Sequence, residues 1–160
     1  MSFVGEVVAR HNLRHASVLE IGSLNVNGSV RGLFDGPYLG IDMQDGPGVD
    51  LVMNAHALVS TPLDGEPFEV IVCTEMLEHD DLPWVTLENA YEHADAGAWL
   101  ILTCRGYDER GCFPLHGHPD DIYRFSCAGI RSLLRATGWQ AEVVGRDPTD
   151  PGVFAVAQKV

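Results

Sequence analysis

Two carboxylates and an imidazole lie within five positions in the segment EMLEH, which begins at Glu75. Glu75, Glu78 and His79 are spaced i, i+3 and i+4, so on a helical turn all three would face one way. Carboxylate oxygens and imidazole nitrogens gathered in this way can bind a divalent metal ion, and His116 or His118 could supply a further ligand. The alternative is that the segment binds no metal. For His79 taken alone, the alternative to a catalytic role is that it caps a helix start or bonds to the backbone.

Other polar residues follow apolar runs that are typical of buried strands. Asp42 stands twenty positions after Gly22, and an acid at the end of a second strand at that spacing can accept both hydroxyls of a ribose. The alternative for Asp42 is a turn residue in front of QDGPG. Asn54 ends the third apolar run, where its side-chain amide can hydrogen-bond the edge of an adenine.

Short apolar runs alternate with amphipathic stretches, and these are the elements that must position the polar residues. Near-continuous runs of Val, Ile and Leu are what parallel strands buried on both faces require. The predicted strands are 17–22, 37–42, 49–54, 67–74, 98–104, 139–145 and 152–160. The predicted helices are a short one within 1–16, and 27–34, 81–94 and 127–137. This alternation predicts an α/β protein with a doubly wound, mostly parallel seven-stranded sheet, to which a C-terminal hairpin adds an antiparallel edge.

Composition restricts the classes of partner. The chain has 160 residues, a length typical of one domain over 1–160, with no internal repeat or linker. Its formal charge of −13 argues against a nucleic-acid partner, because basic side chains bind such partners. No apolar run approaches the ~20 residues that span a bilayer, so no membrane contact is expected. The four cysteines contain no C-x-x-C pair, which favours reduced thiols in a cytoplasmic protein.

Five segments, in order along the chain, resemble the motifs of class I S-adenosylmethionine-dependent methyltransferases. They are VLEIG at 18–22, YLGID at 38–42, FEVIVCTEMLEH at 68–79, HADAGAWLILT at 93–103 and GHPDDIYRFSCAGIRSLLRATGW at 117–139. The last is similar to a stretch found in small methyltransferases of the type 11 kind. The resemblance extends over essentially the whole chain. It implies a Rossmann-like fold, S-adenosylmethionine as the cofactor, and methyl transfer to oxygen or nitrogen of a small-molecule or glycan-like acceptor.

The resemblance also implies a cofactor site at the strand ends. Its expected members are Glu20 and Gly22 at the methionine part, Ser23 and Gly28 in the loop after the first strand, Asp42 at the ribose, Met43, Asn54 and Ala55 around the adenine, and Thr74 and Glu75 near the sulfonium.

This chain departs from the family pattern at two places. The first motif usually carries glycines where Leu24 and Val26 stand, so we expect these two side chains to pack inward or to roof the pocket. The Asn27-Gly28 pair is then expected to make the turn that the missing glycines would otherwise make. Asn54 stands where the family often has Asp, although an amide oxygen can still accept from an adenine amine.

A general base is needed only when the acceptor must lose a proton, as a hydroxyl does. His79, which follows the fourth strand, is the first candidate for this catalytic role, and His118 is the second. The EMLEH segment resembles the metal-binding segment of small-RNA 2′-O-methyltransferases, but many metal-free members carry a similar LEH. We therefore predict that no metal is bound, with Glu75, Glu78, His79 and His118 as the candidates if one is used.

An insertion at 106–126 lies between the fifth strand and the last helix, where the resemblance places it over the methyl-donor pocket. His116, Asp121, Tyr123 and Arg124 are its candidate acceptor-binding residues. The alternative is that Arg124 forms an ion pair with an aspartate that fixes the loop.

Two further functions have weaker support. One is a non-catalytic S-adenosylmethionine-binding module, or a partner subunit of a methyltransferase complex. In that case a second subunit, including a second copy in a homo-oligomer, would complete an open site. The other is a nicotinamide-binding domain, which the missing G-x-G-x-x-G argues against.

Overall fold

The computed structural model describes residues 3–64, 67–107, 121–147 and 151–160, which form one seven-stranded sheet covered on both faces. The strands are β1 (Val18–Ile21), β2 (Tyr38–Asp42), β3 (Leu51–Val52), β4 (Phe68–Thr74), β5 (Ala94–Arg105), β6 (Gln140–Arg146) and β7 (Gly152–Gln158). The α-helices are α1 (Phe3–His11), α2 (Pro83–His93) and α3 (Cys127–Ala136).

The strand order across the sheet is β3-β2-β1-β4-β5-β7-β6. Every neighbouring pair is parallel except the two pairs that β7 makes, with β5 and with β6. From β1 the chain builds outward to β2 and β3, and then starts the other half of the sheet at β4. Strand order therefore reverses between β1 and β4, which is where such sheets bind ligands, outside the carboxyl ends of the strands. The predicted doubly wound, mostly parallel sheet is confirmed.

The antiparallel strand lies inside the sheet and not at its edge. The sequence predicts an antiparallel edge, but β7 is inserted between β5 and β6. Composition explains this order, because Val153, Ala155 and Ala157 of β7 are buried, whereas Gln140 and Glu142 of β6 are exposed. Because β6 is more polar, it tolerates the solvent-exposed edge of the sheet better than β7 does.

Buried apolar side chains cover both faces of the central strands. On β1, Leu19 and Ile21 face the cluster that includes α2 and α3, while Val18 faces the cluster under α1. On β4, Ile71 and Val72 divide between the same two clusters. This two-sided burial is why the strands read as continuous apolar runs.

The last helix forms as its sequence predicts. The Oγ of Ser126 accepts a hydrogen bond from the N–H of Gly129 at 3.0 Å, which caps the first turn of α3. Ile130 and Leu134 are fully buried on one face, and Gly138 follows the helix with a φ of +90°. Such a positive φ suits glycine and ends the helix.

Two predicted elements are shorter than expected. The predicted helix 27–34 is reduced to a 3₁₀ turn at Arg31–Leu33, and the predicted strand 49–54 pairs only over Leu51–Val52. A 3₁₀ helix that was not predicted follows at Ala55–Ser60. Within the described ranges, no helix combines the length and the apolar composition that a membrane crossing needs.

Candidate functional site

The end of β1 and the end of β2 meet at the reversal point of the sheet. The N–H groups of Gly22 and Ser23 both donate to the carbonyl of Ile41, at 2.9 and 3.0 Å. The Asp42 carboxylate is then held by two backbone donors, Leu24 N to Oδ2 at 3.1 Å and Gln44 N to Oδ1 at 2.9 Å. Each oxygen keeps a further lone pair, so a fixed carboxylate is presented beside the turn after β1.

The turn itself requires glycine because of the segment after β4. Gly22 has a φ of +81°, and a β-carbon there would lie 2.6 Å from Cγ of Met76. The site is thus closed on one side by a side chain from the EMLEH segment. Gly22, Asp42 and that segment form one contiguous surface, as the sequence predicts for neighbouring strand ends.

The loop after β1, residues 23–28, makes its turn with a glycine and an asparagine. Gly28 has a φ of +132°, and its N–H donates to Oδ1 of Asn25 at 2.9 Å. Leu24 is half-buried against the loop of residues 43–50, since a β-carbon on Gly46 would lie 2.5 Å from its Cδ1. Val26 is 73% exposed, so it does not pack inward, and its polar neighbours Asn25 and Asn27 are exposed beside it. The other part of the expectation, that Val26 roofs the pocket, stays a prediction.

The expected adenine-side residues lie at the end of β3. The Oδ1 of Asn54 accepts a hydrogen bond from the N–H of His56 at 2.8 Å and caps the 3₁₀ helix that begins at Ala55. That oxygen keeps a second lone pair, so both the amide oxygen and the NH₂ group of Asn54 can still meet a ligand. Met43 lies on the exposed side of the β2 end, with 68% of its surface accessible.

Glu20 and Ser23 lie deeper than a surface contact would require. The Glu20 carboxylate accepts a hydrogen bond from the Tyr38 hydroxyl at 2.9 Å, and burial raises the pKa of Glu20 from 4.5 to about 7. The Ser23 Oγ is buried against Gly40 and bonds to no residue that the structure describes. Their role at a cofactor stays a prediction.

The ends of β4 and β5 border a cleft of about 170 Å³. Glu75 follows β4 with a φ of +51°, a left-handed conformation that is strained for a non-glycine residue, and its Oε2 lies 3.0 Å from Nε of Arg105. On the apolar side of the cleft, the ring centroids of Phe3 and Phe154 lie 4.6 Å apart. The described lining residues are Phe3, Glu75, Thr103, Arg105, Asp147, Gly152, Val153 and Phe154.

The prediction that Glu75, Glu78 and His79 face one way is wrong. The left-handed backbone of Glu75 separates it from the 3₁₀ turn Leu77–His79, so Glu75 is exposed while Glu78 is fully buried. Within the described residues no side chain hydrogen-bonds the Glu78 carboxylate, while the main-chain N–H groups of Glu78 itself and of Arg105 lie close enough to lower its pKa. Burial, with a smaller contribution from the nearby charge of Glu75, raises the pKa of Glu78 from 4.5 to about 7.

Part of the acceptor-side insertion is fixed by the ion pair that the sequence offers as the alternative. Arg124 and Asp121 form a two-pronged ion pair, and both side chains are almost fully buried. The Glu78 carbonyl accepts from the N–H groups of Ile122 and Tyr123, at 2.8 and 3.0 Å. The insertion is thereby bound to the EMLEH segment.

The predicted histidines differ in what the structure describes. His79 is half-buried at the end of its 3₁₀ turn. His116 and His118 lie outside the described residues, so the catalytic pair and the fourth metal candidate stay predictions.

Sequence reasoning missed a linkage beside the site. His56 Nε2 lies 2.6 Å from Oδ1 of Asp80, whose Oδ2 accepts from the Thr86 hydroxyl at 2.5 Å and whose Oδ1 also accepts from Leu82 N at 2.9 Å. In the described part of the chain, His56, Asp80 and Asp81 bring three potential ligand atoms within 4.8 Å of one another. The bonds that Asp80 already makes identify this group as a tie between the β3 end and α2. His56 and Asp80 are 24 positions apart in the sequence, so no local pattern reveals their contact.

Methyltransferases are among the known protein structures that share this architecture. The chain is similar to Burkholderia thailandensis 1,6-didemethyltoxoflavin-N1-methyltransferase with bound S-adenosylhomocysteine, with a TM-score of 0.75 and 16% identity over 98% of this chain and 76% of that one. It is similar to a SAM dependent methyltransferase from Aquifex aeolicus, with a TM-score of 0.71 and 18% identity over 97% and 88%. The chain has the class I methyltransferase fold.

A third similar structure is a Haloferax volcanii complex that contains the Trm112 methyltransferase activator, with a TM-score of 0.65 and 18% identity over 95% of this chain and 88% of that one. No family model and no curated protein sequence matches the chain. The likeness to methyltransferases therefore rests on three-dimensional structure, and the residues of the site must carry any statement on activity.

Proposed function

We propose that this protein is an S-adenosylmethionine-dependent methyltransferase that acts on oxygen or nitrogen of a small-molecule or glycan-like acceptor. The observation that carries the proposal is the Asp42 carboxylate, fixed by two backbone N–H groups beside Gly22 at the reversal point of the sheet. A carboxylate held in this way accepts the two hydroxyls of a ribose. The fold of the similar methyltransferases supports the same ligand.

The residues present fit this cofactor. Gly22 makes the turn after β1 with a positive φ, Asp42 offers free lone pairs toward a ribose, and the Asn54 amide can hydrogen-bond an adenine edge. When bound, the cofactor supplies a methyl group on a positively charged sulfur. The role of the protein is to hold the acceptor in line with that group and to keep water out.

The acceptor is proposed to enter the cleft at the ends of β4 and β5. Its two phenyl rings suit an apolar or ring-shaped body, while the carboxylates of Glu75 and Asp147 suit hydroxyl or amine hydrogens. The volume of about 170 Å³ accommodates part of a small molecule and not a folded polymer segment. His79 and His118 are proposed to take the proton when the acceptor is a hydroxyl.

A second candidate is a cofactor-binding subunit that needs a partner for activity. The similar Haloferax volcanii structure, which contains a methyltransferase activator, favours keeping it. A homo-oligomer in which a second copy completes the site belongs to the same candidate. An action in the cytoplasm is proposed from the sequence alone.

The first experiment is a calorimetric titration with S-adenosylmethionine, S-adenosylhomocysteine and NAD. We expect both sulfur compounds to bind and NAD not to bind, and Asp42→Ala to weaken binding strongly because two ribose hydroxyls lose their acceptor. Asp95→Ala, which removes an exposed carboxylate near the start of β5, is the matched control. No binding of either sulfur compound by the folded wild-type protein would refute the proposal.

Activity and metal use are then tested together. With an acceptor found by screening, the His79→Ala, His118→Ala double variant should lose turnover while it retains cofactor affinity. We expect EDTA to leave wild-type turnover unchanged. If EDTA abolishes turnover and a divalent ion restores it, the buried carboxylate of Glu78 becomes the first ligand to test.

A further inference from the structure

A second loop supports the glycine-poor turn after β1. This bracing loop, residues 43–50, lies against the loop of residues 23–28, which is called the cofactor loop here. The carbonyl of Pro47 accepts from the N–H of Asn25 at 2.8 Å. A β-carbon on Gly48, whose φ is +92°, would lie 2.6 Å from the carbonyl oxygen of Ser23. The close backbone approach comes from glycine in the bracing loop.

One arginine outside both loops holds the bracing loop in place. The guanidinium of Arg31 forms an ion pair with Asp50, with Nη1 2.9 Å from Oδ2. The same guanidinium donates to the carbonyl of Tyr38 at 3.2 Å, and to the carbonyl of Gly48 at a longer 3.5 Å. Its Cζ lies 4.8 Å from the centroid of the Tyr38 ring, a distance suited to a cation–π contact. A planar guanidinium can meet all these partners at once, whereas an ammonium cannot.

Asp50 connects this arginine to the strand that carries Asp42. Its Oδ2 accepts from the N–H of Gly40 at 2.7 Å, and its own N–H donates to the Gly40 carbonyl at 2.8 Å. Gly40 lies two residues before Asp42 on β2. A continuous set of contacts therefore runs from Arg31, through the bracing loop, to the cofactor loop and to the strand that ends in Asp42.

We propose that Arg31 is a positioning residue for the cofactor: it holds the bracing loop so that the cofactor loop keeps its shape without the usual glycines. The inference rests on the proposed function, since the affinity at issue is that for S-adenosylhomocysteine. An ion pair that is partly exposed contributes little to stability, about 0–1 kcal/mol. Arg31 is 38% exposed at the side chain, so its loss should affect ligand binding more than folding.

The test is a calorimetric titration of Arg31→Met with S-adenosylhomocysteine. We expect the dissociation constant to rise about tenfold at unchanged stoichiometry, because several charge-assisted contacts to the loop are lost. A purely structural defect would instead lower the number of binding sites without changing the affinity of the folded fraction. The control is Arg14→Met, which removes a similar exposed ion pair, with Asp35, from a part of the chain remote from Asp42.

Two more variants keep the test decisive. Arg31→Lys should give an intermediate affinity, since it retains the charge facing Asp50 and loses the simultaneous backbone contacts. If Arg31→Met does not fold, Asp50→Asn replaces it and should also weaken binding. A dissociation constant of Arg31→Met within about twofold of both wild type and Arg14→Met would overturn the inference. Absence of binding by the wild type would refute the proposed function itself.

Discussion

At the scale of single residues, glycines of the bracing loop, residues 43–50, provide the close approach that the family pattern expects from glycines in the loop after β1. Sequence spacing identifies Gly22 and Asp42 because both stand at strand ends, where position along the chain is informative. It does not identify Gly46 or Gly48 as neighbours of the candidate site, since their partners Leu24 and Ser23 are more than twenty residues away and the contact exists only after the sheet forms.

Gly48→Ala tests that role directly. The substitution places a β-carbon against the Ser23 carbonyl and forces a residue with a side chain to adopt a φ of +92°. We expect the free energy of unfolding to fall by about 1–3 kcal/mol, together with weaker S-adenosylhomocysteine binding. Gly32→Ala is the control, because a β-carbon there meets nothing within 4 Å. Equal unfolding free energies in urea for the two variants would contradict the assigned contact.

Buried Glu78 gives a pH dependence whose sign can be worked out. Its pKa is raised from 4.5 to about 7, so the folded protein retains a proton that the unfolded chain releases at lower pH. The resulting stability is complete below about pH 4.5 and is lost as the pH rises through about 7. We expect the free energy of unfolding of wild type, relative to Glu78→Gln, to decrease across this window.

Urea unfolding at several pH values measures this difference. The exposed Glu88→Gln variant, from α2, should follow the wild-type pH dependence. If Glu78→Gln also follows it, the Glu78 carboxyl is not the group responsible.

At the scale of elements, long strands and capped helices are predicted well, and short connections are not. α3 carries its own cap and apolar face, and β4 is a continuous apolar run, so both are encoded locally. The 3₁₀ helix Ala55–Ser60 is different, because it is held by Asp80, which contacts His56, and by residues of α2. Elements fixed by distant partners give no periodic signal of their own.

The tie between that 3₁₀ helix and α2 should dominate local stability. Asp80→Ala leaves the buried Thr86 hydroxyl and the His56 ring without their acceptor. We expect a loss of about 2–4 kcal/mol in the free energy of unfolding, as for other broken buried networks. Asp81→Ala is the adjacent control, since 76% of its side chain is exposed, and its expected change is within about 0.5 kcal/mol. A similar small change for Asp80→Ala would show that the tie is unimportant.

At the scale of the whole molecule, the class of fold follows from the sequence, whereas the position of β7 does not. The alternation of apolar runs with amphipathic stretches predicts a doubly wound sheet. It does not predict whether β6 or β7, which are joined by a turn, pairs with β5. Burial decides between them, because β7 is apolar on both faces and β6 is not.

Removal of residues 152–160 tests how far the sheet depends on this strand. The truncation deletes the partner of both β5 and β6, which exposes the long apolar edge of β5. We expect an aggregated chain without the cooperative unfolding of the wild type, measured by circular dichroism and light scattering. Deletion of Val160 alone, which is 80% exposed, should be tolerated. A soluble, cooperatively folding truncation would contradict the central role of β7.

The interior position of β7 also sets an order of events during synthesis. The strands that carry Gly22, Asp42 and Glu75 leave the ribosome early, yet β5 has no neighbour on its outer side until the chain through Gln158 has been made. Pairing that spans so many residues is slow compared with local helix formation. The nascent chain therefore carries its candidate ligand-binding half before it can close its sheet, and during that interval β5 presents an unpaired strand edge of the kind that chaperones cover.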